Sequence, residues 1–224
     1  MNKYARIARV YPAILTGIPI VLLSIPLVNT FLDIVGVNQW IAKIIGNLGF
    51  SAVVLYFYSQ LVRTLGKFIF EKIYFRDETL FPTTQALHPK GKIFSSDLKD
   101  RYYEKVKKEF KINILSASDD DEIRRMINES VAQVCLKVGK GKLLLQHNIE
   151  YGFIRNFCGG SLFGFICSLV GVIIYWNSAP VFAVYLTLLF SYLVFVVLSK
   201  PLISHFGFQY AKVLISEYME ESND

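Results

Sequence analysis

The sequence predicts an all-α integral membrane protein, with four transmembrane helices in two hairpins and a helical cytoplasmic insert between them. Three observations carry that prediction. Hydrophobic residues make up 53% of the chain and the mean hydropathy is +0.40, more apolar content than a soluble domain of 224 residues needs for its core. Charge is missing over long tracts, and a hydrocarbon layer about 30 Å thick needs roughly 20 apolar residues per helix. The charge that remains clusters between those tracts, where a water-exposed domain would lie.

The first charge-free tract runs from Val10 to Leu32, between Arg9 and Asp33. The second runs from Ile44 to Val62, between Lys43 and Arg63. The third spans 44 residues, Asn156 to Ser199, too long for one helix and suited to two. Asn177-Ser178-Ala179-Pro180 supplies the reversal, since Asn, Ser and Pro favour turns. The expected spans are therefore 12–32, 44–62, 157–176 and 180–199. A cleaved signal peptide competes for the N-terminus, with Lys3, Arg6 and Arg9 as its basic region, but the apolar run is long for one and no A-x-A site follows.

Lys and Arg gather on the cytoplasmic side of bacterial membranes. Lys3, Arg6 and Arg9 precede the first span, and Arg63, Lys67, Lys72 and Arg76 follow the second, whereas the intervening loop sets only Lys43 against Asp33. The 177–180 turn is uncharged, while Arg155 and Lys200 flank the last pair of spans. Every flank places the insert and both termini inside, in a bacterial inner membrane. The net charge of +6 is spread thinly: the insert from Tyr74 to Asn156 holds 15 basic against 12 acidic residues. That pattern suits anionic headgroups better than nucleic acid, so no direct nucleic-acid binding is expected.

The sequence divides into a first hairpin with its stalk (1–73), a cytoplasmic helical domain (74–156), a second hairpin (157–199) and an amphipathic C-terminal segment with an acidic tail (200–224). Span two continues as a stalk helix to about Ile73, with Arg63, Lys67 and Glu71 recurring every fourth residue. Residues 76–96 read as loop, broken by Pro82, Pro89 and Gly91, with Leu80, Phe81 and Leu87 available to dock it. A helix over about 97–110 carries Leu98, Tyr102, Val106 and Phe110 on one face. A second begins at Ser118-Asp119-Asp120-Asp121-Glu122, where carboxylates suit the helix dipole and Ser118 or Asp119 can cap. A metal cluster is the competing reading of that run, but consecutive Asp residues on a helix point apart and no further ligand is spaced to join them.

Ile123, Ile127, Val131, Val134 and Val138 form an apolar stripe along this second helix, a surface for the first helix or for a partner. Gly139-Lys140-Gly141-Lys142 ends it; the Walker spacing is absent, which favours a basic turn over a phosphate loop. The three cysteines, Cys135, Cys158 and Cys167, lack metal-ligand spacing and read as packing residues.

Polar groups are dense on the approach to the third span. Gln146 and Glu150, His147 and Tyr151, and Tyr151 and Arg155 are i, i+4 neighbours, either an interfacial helix with Tyr151 and Arg155 as headgroup anchors or a partner or gating site. No nucleophile, second base or oxyanion loop accompanies His147 and Glu150, so no catalytic, cofactor or metal site is expected. Within span three, Gly160, Gly164 and Ser168 share one small-residue face, an intramolecular contact or an oligomer interface. Pro19 and Pro26 interrupt span one and mark it as the span to kink, with Thr16, Ser24, Asn29 and Thr30 supplying polar groups. No full charge lies mid-span, which disfavours an ion-coupled carrier. After span four, Leu202, Phe206, Tyr210, Val213 and Leu214 are placed to lie on the membrane surface.

Two N-terminal spans, the run Leu80-Phe81-Pro82-Thr83-Thr84, a helical insert, the stretch from Leu143 to Phe153 and a closing pair of spans resemble small bacterial membrane proteins. In architecture the chain is similar to membrane components of prokaryotic antiphage defence systems, such as the Kiwa membrane subunit or the transmembrane effectors of retron and cyclic-nucleotide systems. That resemblance implies a non-enzymatic, homo-oligomeric sensor or membrane-perturbing effector, with a protein partner from the same system and room for a nucleotide signal. It carries over no site residue. A passive anchor for a cytoplasmic enzyme, held through the 123–138 helix, and a small housekeeping channel are the alternatives.

Overall fold

The computed structural model describes residues 3–36, 40–76, 79–139 and 141–221, except the side chains of residues 40–43 and 142. It is all-helical among those residues. In order, α1 (Lys3–Ala5) leads through a π-helical turn (Arg6–Val10) into α2 (Tyr11–Ile34); α3 (Trp40–Lys67) passes into a second π-helical turn (Phe68–Tyr74). Then come α4 (Pro82–Leu87), α5 (Ser96–Phe110), a 3-10 turn (Ile114–Ser116), α6 (Asp120–Val138), α7 (Lys142–Ile174), α8 (Ala179–Val197) and α9 (Ser199–Glu220). Among the described residues four helical stretches are long and apolar enough to cross a membrane: Lys3–Ile34, Ile44–Tyr74, Leu143–Ile174 and Ala179–Val197. The first begins nine residues before the expected position 12, because the basic residues at its start are already helical.

The chain folds as two compact units, residues 1–67 with 152–199, and residues 68–151 with 200–224. The boundary differs from the sequence division at one important place: the C-terminal segment belongs with the insert. Leu214, Ile215 and Tyr218 of α9 are fully buried in one core with Tyr102, Val106, Ile127, Val134 and Leu144. Tyr210 and Val213 pack against that core. This corrects the expectation of a surface-lying helix, and the apolar face read as lipid-facing is the missing wall of a domain core.

The 123–138 stripe is corrected by the same packing. Ile127, Val131, Val134 and Val138 are buried inside the second unit and Ile123 packs at its edge, so α6 turns these side chains into the domain core and leaves no free stripe for a partner. The helix starts where its caps dictate. Asp119 accepts from the Glu122 amide at 2.7 Å, while Glu122 Oε2 accepts from the Ser118 amide and hydroxyl at 2.7 and 2.9 Å, a reciprocal box that satisfies end donors and occupies the acidic run. Ser95 caps α5 through the Leu98 amide at 3.2 Å, and Lys111 closes it with a φ of +62°. The 76–96 segment is not all loop: Pro82 sits in the first turn of α4, where its missing N–H costs nothing. The Gly-Lys turn includes Lys140, and the loop between the first two spans includes residues 37–39; both lie partly outside the described residues.

In the first unit, glycines set the helix spacings. A Cβ on Gly159 of α7 would lie 2.8 Å from the Gly66 Cα of α3, so the two backbones touch where neither has a side chain. Gly17 of α2 admits Leu55 and Tyr58 of α3. Between α7 and α8, Tyr175 stacks on Tyr185 at 5.5 Å and Phe157 meets Phe195 edge-on at 4.7 Å.

Candidate functional site

Proline in a helix interior cannot donate to the carbonyl four residues back, and that oxygen must find another partner where water is scarce. α2 runs through both Pro19 and Pro26, with Pro12 in its first turn. Pro12 leaves the Ala8 carbonyl, which receives the Asn156 amide of α7 at 2.6 Å. Pro19 leaves the Leu15 carbonyl, which receives the Tyr192 hydroxyl of α8 at 2.7 Å. The two oxygens lie seven residues apart, the first in the π-helical turn and the second in α2. Between them Thr16 donates to the Pro12 carbonyl at 2.7 Å, and the Tyr58 hydroxyl of α3 lies 3.1 Å from both the Thr16 hydroxyl and the Gly160 carbonyl. All of these side chains are buried. The proline-containing start of the first span is thus latched to three other helices by neutral hydrogen bonds.

This latch also absorbs the small-residue face of α7. A Cβ on Gly160 would strike Thr16, one on Gly164 would lie 2.9 Å from the Tyr192 ring, and Ser168 is fully buried. Gly160, Gly164 and Ser168 are therefore internal packing positions, a correction to their reading as an oligomer interface. Of the polar residues before span three, Gln146 donates to Glu150 at 3.1 Å, and His147 lies 3.2 Å from Glu150, three residues on. Tyr151 lines a small apolar recess of about 150 Å³ with Phe81, Pro82, Asn148 and Tyr210. Arg155 is only 8% exposed in the first unit, so the structure does not set it out as a headgroup anchor.

The second unit contains a charged network that sequence reading missed. His88, at 3% exposure, accepts the Lys90 amide at Nδ1 over 3.3 Å and points Nε2 at Asp120, 3.2 Å away. With Nδ1 accepting, the ring proton sits on Nε2. Asp120 also receives Lys90 Nζ at 3.0 Å and Arg124 through Nε and Nη2 at 3.1 and 3.0 Å. Hydrogen bonds from Lys90 and then Arg124 hold the Asp120 carboxyl down at about 2. Lys99, itself buried, donates to the carbonyls of His88, Pro89 and Gly91 and fixes the turn that carries the histidine. The i, i+4 spacing of Asp120 and Arg124 was the legible signal; His88 lies 32 residues earlier and nothing local announces it.

Burial pushes His88 below its ordinary value, the Arg124 charge pushes the same way, and Asp120 opposes them. A depressed histidine is neutral in the fold and takes up a proton more readily when unfolded. Stability is therefore complete above the ordinary histidine value of about 6.5 and falls as pH drops below it toward the folded value. The melting temperature should fall between about pH 7.5 and about pH 5.5, and His88→Asn, which keeps an acceptor for the Lys90 amide, should flatten that fall. Thermal unfolding of the two proteins over that range checks it; an unchanged slope in the variant removes His88 as the source.

No protein-family model, curated protein or solved structure matches the chain.

Proposed function

We propose that the chain is a multi-pass protein of a bacterial inner membrane in which a cytoplasmic helical domain is coupled to four spans arranged as two hairpins, acting as a non-enzymatic sensor or membrane-perturbing effector. One observation carries the reading: residues 68–151 and 200–221 share a core, and between them the chain runs through the apolar remainder of Leu143–Ile174, from 152 to 174, and through Ala179–Val197. Parts that share a core lie on one side of any membrane, so the intervening chain crosses an even number of times. The basic flanks assign that side to the cytoplasm. Leu27, Ile34, Leu48, Phe57, Ile173 and Val197 of the first unit are all more than 60% exposed, an apolar surface suited to lipid.

Coupling is supported by continuity of α7, whose 33 residues extend about 50 Å and exceed the bilayer core. Its first turn is capped in the domain, where Glu217 of α9 accepts the Leu144 amide at 3.1 Å, and its later turns supply Asn156 to the latch. Movement of the domain's end of this helix would strain single neutral hydrogen bonds, each worth on the order of 1 kcal/mol in a membrane. Such bonds suit a device that changes state better than a fixed anchor. Burial of the 123–138 stripe also removes the surface on which passive anchoring would rest.

A role in antiphage defence, with a partner from the same system and a homo-oligomeric state, is the setting the architectural resemblance favours. The test is the double variant Asn156→Leu with Tyr192→Phe, expressed in cells carrying a potential-sensitive dye. It should depolarise the membrane without a trigger while remaining in the membrane fraction. A correctly inserted double variant that leaves both the potential and the triggered response unchanged rejects the latch as the moving part.

A further inference from the structure

Beside the start of α6, a polar cavity of about 380 Å³ is lined by Arg76, Thr79, Asp120, Asp121, Arg124 and Arg125. On the other side of Arg124 a second recess of about 290 Å³ is lined by His88, Lys90 and Gln85. A carboxylate already shows what this ground holds. Asp120 is gripped by the fork of Arg124 and by Lys90, donors that a phosphate oxygen also seeks. Arg124 spends Nε and Nη2 on Asp120 and keeps Nη1, while no ion pair holds Arg76 or Arg125 among the described residues.

Arg76 adds an independent feature. Its φ is +45°, a left-handed conformation that glycine adopts freely and a side-chain-bearing residue seldom does. The turn is fastened by the Thr79 hydroxyl, which donates to the Arg76 carbonyl at 2.8 Å. The chain thus carries a guanidinium where the backbone alone would favour glycine, and that side chain lines the cavity.

We propose that this cavity binds a phosphate group, with Arg76 and Arg125 as its free donors, Arg124 shared with Asp120, and Asp121 tempering the affinity. The chemistry fits a soluble phosphate ester or the phosphate of an anionic lipid. The assignment rests on the reading of this domain as the receiving half of the protein only for its purpose, because binding is measured on the purified chain without reference to membrane potential.

The experiment is calorimetric titration of inorganic pyrophosphate into the full chain in phosphatidylcholine nanodiscs, without divalent metal. Saturable binding is expected. Arg76→Ala and Arg125→Ala should each weaken it roughly tenfold or more, the scale of one lost charge-assisted contact. Asp121→Asn should tighten it several-fold by removing a repelling carboxylate, and Lys108→Ala, on exposed α5 surface, should leave it unchanged. In nanodiscs containing phosphatidic acid, weaker apparent pyrophosphate binding identifies a lipid phosphate as occupant, and unchanged binding identifies a soluble ester. Absence of binding at millimolar pyrophosphate to both the parent chain and Asp121→Asn overturns the proposal, as does binding indifferent to Arg76→Ala and Arg125→Ala.

Discussion

Ile127→Asp unfolds the second unit. Ile127 is fully buried between α6 and the helices that cover it, in contact with a core that includes Tyr102, Val134 and Leu214. Losing a buried isoleucine costs about 2–5 kcal/mol, and leaving a carboxylate without a partner there adds several more. The sum approaches the whole stability of an ordinary domain, about 5–15 kcal/mol. The outcome separates two views of the same stripe. If α6 offered Ile127 to a separate partner, the purified variant would keep its melting transition and lose only association. The structure instead predicts that the transition of the unaccompanied protein is lost and that proteases cut within 79–139, while the spans still fractionate with membranes.

Gly159→Leu forces α3 and α7 apart. The atom that a new Cβ would meet is the Gly66 Cα at 2.8 Å, with the Gly66 nitrogen at 3.0 Å, and backbone cannot swing aside as a side-chain end can. Overpacking of this kind costs about 1–3 kcal/mol, and the upper end applies where the neighbour is backbone. Gly66→Leu should act alike, since a Cβ there would lie 3.1 Å from the Arg155 carbonyl. Thermal unfolding in detergent checks both. If Gly159→Leu melts like the parent but changes the oligomer mass, this face looks outward and the internal packing described above is wrong. Gly49→Leu, with nothing within 4 Å of an added Cβ, is the neutral control.

What could be read directly was set by local physics. The apolar tracts needed only the positions of charge, and the start of α6 needed only Ser118, Asp119 and Glu122 in the order that a capping box requires. The stripe on α6 was visible as amphipathic, but its cover was not, because α9 lies some 80 residues away and carries a mixed pattern in which Tyr218 and Glu217 both face inward partners. Pro82 was misjudged as a breaker because a proline that ends one segment can begin the next helix. The latch was half legible. Pro12 and Pro19 name the carbonyls of Ala8 and Leu15 as needing donors by spacing alone, but Asn156 and Tyr192 are brought to them by tertiary packing. Likewise Asp120 and Arg124 are neighbours on a helix, whereas His88 reaches them through the turn fixed by Lys99.

The coupling proposal depends first on topology, and labelling by a membrane-impermeant maleimide measures that directly. In a background with Cys135, Cys158 and Cys167 replaced by alanine, single cysteines would be placed at Ser178, Lys107 and Glu220. Four spans with the insert and α9 in the cytoplasm predict that the cysteine at position 178 labels on intact spheroplasts, while those at 107 and 220 label only after permeabilisation. Labelling of 107 and 220 from opposite sides would contradict the shared core, and labelling of all three from one side would contradict the crossing of α7 and α8.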